Sequence, residues 1–122
     1  MSTIWSFTDK EHIPIARGYW VWRMCRSVKL QDWTSSIQYF GTYEDARQAC
    51  EAQITANGGS LTNPGFEVVY IGGLSPSGNT AHMFKLVGGV WFYRATVQSG
   101  WDAFKETFFG WKNPEAVRAN DY

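Results

Sequence analysis

A chain of 122 residues, 44% hydrophobic and 18% charged, has the balance of one folded domain, 1–122, and is too short for two cores. Eleven basic and eleven acidic side chains cancel, so bulk electrostatics neither drives it onto nucleic acid nor makes it an acidic mimic of DNA. Two histidines and two cysteines without a CxxC spacing leave zinc unsupported, and no metal or cofactor is expected.

The opening "MSTIWSFTDKEHIP" has no basic start followed by an apolar run, and every apolar run is far shorter than a membrane span. The expectation is a cytoplasmic chain with reduced thiols and no membrane contact. Residues 1–18 read as an irregular N-terminal arm bounded by Pro14 and Gly18, with Trp5 on it and His12 in a polar turn.

From Tyr19 to Gln31 the pattern has period two. Trp20, Trp22, Met24, Val28 and Leu30 share the apolar face, opposite Tyr19, Val21, Arg23, Cys25, Ser27, Lys29 and Gln31. Arg26 falls in the apolar phase, which calls for a bulge or a paired guanidinium. "QDWTSS" reads as a turn holding Trp33, and "SIQYF" as the returning antiparallel strand.

Thr42 caps the next element, with Asp45 three residues on as an acidic form of the capping box, and Asn57-Gly58-Gly59 stops it. Tyr43, Ala46, Cys50 and Ile54 form its apolar stripe, with Ala49 at the margin. "FEVVYI" is the next strand, its lone Glu67 facing solvent or pairing with a sheet arginine, and "GGLSPSGNT" reads as a loop. "AHMFKLV-GG-VWFYRATV" is a tight hairpin, since primed turns need positive φ at both central residues. In that register Leu86 faces Trp91, Phe84 faces Tyr93 and Lys85 faces Phe92.

A second helix is expected from its cap at Ser99, with Trp101, Phe104, Phe108 and Trp111 along one side and a short tail over 113–122. The class is α+β: a mostly antiparallel sheet of about five strands with two helices packed on one face, in the order ββα-β-ββα.

Candidate sites are modest. Cys25 and Cys50 read as small buried hydrophobes, and His82, in phase with Phe84 and Leu86, as a hydrogen-bonded residue at the core edge. The glycine-rich stretches lack the lysine and helix start of a phosphate loop. One distribution stands out: Arg23, Lys29, Lys85 and Arg94, with Tyr19, Met83 and Phe92, fall on the sheet face away from the helices.

With no catalytic set and seven tryptophans, the expected function is a small non-enzymatic interaction protein that binds another protein through an aromatic-rich surface. An inhibitor, an immunity protein or a phage accessory factor would have this size. Trp5 and Trp33 are the expected exposed anchors, and Tyr19 and Arg23 are further candidate binding residues. One alternative is nucleic-acid binding across an open face carrying Arg23, Lys29, Lys85, Phe92 and Arg94. Another is a thiol enzyme using Cys25 or Cys50 with His82. A homodimer through the same face would cover Phe92, Val87 and Val90.

Overall fold

A computed structural model describes residues 2–8, 11–36, 38–77 and 80–97, with side chains over 17–36, 38–77 and 80–94. Seven strands and one helix follow in chain order: β1 (Ser2–Thr8), β2 (Glu11–Ala16), β3 (Trp20–Cys25), β4 (Trp33–Ser35), α1 (Tyr43–Ala56), β5 (Val68–Leu74), β6 (Thr80–Val87) and β7 (Val90–Val97). β1 and β2 pair as an antiparallel hairpin where an irregular arm was expected. The other five strands form one antiparallel sheet in the order β4-β3-β5-β6-β7. The α+β class therefore stands with one described helix. The second helix and the tail over 113–122 lie outside the described residues.

The glycine hairpin forms in the expected register, Leu86 opposite Trp91, Lys85 opposite Phe92 and Phe84 opposite Tyr93. Gly88 and Gly89 have φ of 59° and 85°, the left-handed values a primed two-residue turn demands. The helix also starts where its cap predicts. The Asp45 amide donates to the Thr42 hydroxyl oxygen at 3.1 Å, and Tyr43, Ala46, Cys50 and Ile54 are buried.

Three boundaries differ from the sequence reading. β3 stops at Cys25 rather than running to Gln31, and the chain turns through Ser27–Asp32 instead. The Ser27 carbonyl accepts from the amides of Leu30 and Asp32, while the Glu67 carboxylate accepts from the Val28 amide. Backbone groups that a longer strand would have paired are thus satisfied locally. Leu30, expected in the core, is 76% exposed. The returning strand is Trp33–Ser35, inside the stretch read as a turn, with Trp33 opposite Cys25. β5 continues through Gly72 and Gly73 to Leu74, so the supposed loop begins later, at Ser75.

The sheet buries both faces. On the helix side, Trp20, Trp22, Met24, Val69, Ile71, Phe84, Leu86 and Trp91 meet the α1 stripe. The Trp91 indole N–H donates to the Glu51 carboxylate at 2.9 Å, tying β7 to the helix. On the other side Val21, Tyr70, Leu74, Ala81 and Met83 form a second buried cluster, with Trp33 and Val68 packed against it. The backbone of β2 passes close to β5 and β3. No described helix is long and apolar enough to cross a membrane.

Candidate functional site

Two features lie around the Trp20 end of β3. The first is an aromatic edge. Trp20 and Phe40 exchange backbone hydrogen bonds of 2.8 Å in each direction, an isolated antiparallel bridge that fixes the residues on either side. Alternation turns the rings of Trp20 and Phe40 toward the helix-side core and leaves Tyr19 and Tyr39 on the other side. Their rings meet edge to face, 6.1 Å between centroids at 64°, with 47% and 42% of the two residues exposed. Further along that face of β3, the Arg23 guanidinium lies 4.6 Å from the centre of the Trp33 ring, and Trp33 stacks on Tyr70.

The second feature is a cleft of about 420 Å³ on the helix side. Its floor comes from one cross-strand row, in which Trp20 pairs with Gly73 and Gly73 with His82. A Cβ at position 73 would lie 2.3 Å from the Trp20 ring, so glycine is what lets the indole lie across β5 toward His82. The two rings stack, 5.6 Å apart at 23°. Tyr43, the first residue of α1, stands edge-on to Trp20 at 62°, and the rim carries Thr42, Glu44, Ser75 and Pro76.

Burial sets the electrostatics of this region. His82 is buried, its Nδ1 lies 2.6 Å from the Tyr93 hydroxyl, and desolvation pushes its pKa down to about 4. The Tyr93 hydroxyl is pushed up to about 12 by the same cause. Glu44 is held below the ordinary carboxylate range, first by its hydrogen bond to the Arg47 guanidinium. Arg47 also pairs with Glu51 at 3.2 Å.

The residues singled out from the sequence fare differently. Tyr19 is exposed and Arg23 half-buried. Trp33, expected as an exposed turn residue, is half-buried in β4, because the turn precedes it and its ring packs on Tyr70. Lys29 is exposed in the Ser27–Asp32 turn, not on the sheet. Lys85, Phe92 and Arg94 do share a face with Arg23, since Arg23 pairs with Tyr70, Tyr70 with Lys85 and Lys85 with Phe92. That face is no open basic platform. Met83 beside Arg94 is buried, and Arg23, Lys85 and Arg94 are half-buried, each with interactions of its own. The side chain of Trp5 lies outside the described residues. Val87 and Val90 are exposed at the hairpin turn, with Phe92 half-buried.

Arg26 needs neither bulge nor buried partner. It is exposed past the end of β3, over the Phe66 ring, and donates to the Asn57 side-chain oxygen. Cys25 and Cys50 are fully buried, and desolvation raises both thiol pKa values. Cys25 sits at the end of β3 away from Trp20 and His82. This does not suit a thiol nucleophile with His82 as its base.

Sequence reasoning missed Tyr39 and the cleft. Tyr39 sits in a segment read as a strand interior. The cleft depends on a row linking three strands, for which the clearest trace in sequence is the glycine pair of "YIGGL" in an otherwise apolar run. No protein-family model matches this chain, and no curated protein or solved structure matches it.

Proposed function

We propose that this is a non-catalytic interaction module that binds another protein through the aromatic margin of its sheet. The observation that carries the reading is the Tyr19–Tyr39 pair, two large rings held in edge contact and each more than two-fifths exposed. Tyrosine, tryptophan and arginine dominate interface hot spots, because they present area with little rotamer freedom to lose. Here the backbone bridge between Trp20 and Phe40 has already fixed the chain beneath both rings. Arg23 over Trp33 lies on the same face and extends the margin toward β4. The cysteines are buried, and no cluster of three metal-ligating side chains occurs among the described residues.

The test is comparative co-purification from the cells that naturally make the protein, after nuclease treatment. Wild type should retain a discrete protein, and the double variant Tyr19→Ala/Tyr39→Ala should lose it while melting at a similar temperature. Retention of nucleic acid in place of protein, or equal retention by the folded double variant, would rule the reading out.

A further inference from the structure

We propose that the cleft between β3, the start of α1 and the segment after β5 binds a neutral, planar heteroaromatic molecule of one or two rings. This inference does not rest on the protein-binding reading, since it uses the opposite side of the sheet from Tyr19 and Tyr39.

Size and shape come first. The cleft, about 420 Å³, lies within the roughly 300–1,000 Å³ range of small-molecule sites. It is floored by rings in an order a flat ligand can continue: Trp20 stacked with His82, and Tyr43 standing edge-on to Trp20. Aromatic pairs favour offset stacking and edge-to-face contact over other geometries. Gly18 and Gly41 bring bare backbone to the rim, leaving room for the ligand.

Charge selects against ions. No lysine or arginine is among the described residues that line the cleft, and His82 is uncharged at neutral pH. Glu44 is on the rim and Asp45 lies in the same helical turn, so the positive end of the helix dipole already faces carboxylates. An anionic ligand therefore gains little from the helix start. A cation gains little, because the Glu44 carboxylate is already bonded to Arg47. Thr42 and Ser75 add neutral hydroxyls: Ser75 is engaged by the Thr80 amide and Ser77, while the Thr42 oxygen accepts from the Asp45 amide and keeps a second lone pair for a ring N–H.

Gly41 offers a way to close the cleft without disturbing the fold. Gly41 lines the opening and a Cβ there meets nothing within 4 Å, so Gly41→Phe adds bulk at the opening without a clash at its Cβ. The experiment is a heteronuclear NMR titration of the full chain with indole, with indole-3-acetate as the anion and cyclohexanol as the neutral non-aromatic control. Indole should give saturable shifts at the Gly18, Gly41 and Ser75 amides, with affinity at least about tenfold above that of either control. Gly41→Phe should lose at least about tenfold in indole affinity with its melting temperature unchanged. Should that variant fail to fold, Gly41→Leu serves in its place, and the wild-type ranking of the three probes decides alone if both fail. No saturable shift with indole, equal binding of indole-3-acetate, or undiminished binding by a folded Gly41 variant would overturn the proposal.

Discussion

His82 shows how one residue can be both structural and diagnostic. Its ring is stacked on Trp20 and bonded to the Tyr93 hydroxyl, and burial holds its pKa near 4 where an unfolded chain would titrate near 6.5. As pH falls through that window the unfolded state takes up the proton and the folded state does not. Stability from this group is thus complete above 6.5 and is lost on the way down to about 4. Between about pH 7 and pH 5, urea titration should show wild type losing about 2 kcal/mol that His82→Phe does not lose. A wild-type stability flat over that interval would contradict the burial. The role was partly legible, because a histidine in phase with Phe84 and Leu86 belongs at a core edge. Its neighbour across Gly73 was not, since only pairing between distant strands brings Trp20 there.

At the scale of elements, local chemistry decided what could be read in advance. The hairpin and the helix carry their own signals: two glycines with positive φ in one case, a capping threonine and a four-residue stripe in the other. The β3–β4 turn carries none strong enough, because Val28 and Leu30 happen to continue the apolar alternation of β3. That turn is held by the Glu67 carboxylate, from a segment 39 residues away, together with the Ser27 and Asp32 carbonyls. The hairpin yields a paired prediction. Gly88 has open space around it and φ near the left-handed value that asparagine tolerates, so Gly88→Asn should be nearly neutral. At Gly89, φ is 85° and an added Cβ would lie 2.9 Å from the Thr62 methyl carbon. Gly89→Val should therefore cost about 1–3 kcal/mol by chemical denaturation. Equal effects at the two positions would contradict the close approach of Thr62 to Gly89.

Across the whole molecule, the main departure from expectation is a sheet covered on both sides. The alternation of β3 suggested one solvated face, yet β5 reads Val-Val-Tyr-Ile-Gly-Gly-Leu without a polar residue. Such a run is typical of strands buried on both faces, and it was the available sign that the basic face would not lie open. Arg23, Lys85 and Arg94 are accordingly half-buried and engaged, and the exposed aromatic surface shifts to the margin at Tyr19 and Tyr39. That margin is the central claim, and site-specific photo-crosslinking tests it most directly. A benzophenone amino acid placed at Tyr19, with Gln48 on the exposed side of α1 as control, should give one discrete protein adduct in the native cells at position 19 and none at 48. No adduct at position 19, or the same adducts at both positions, would contradict it.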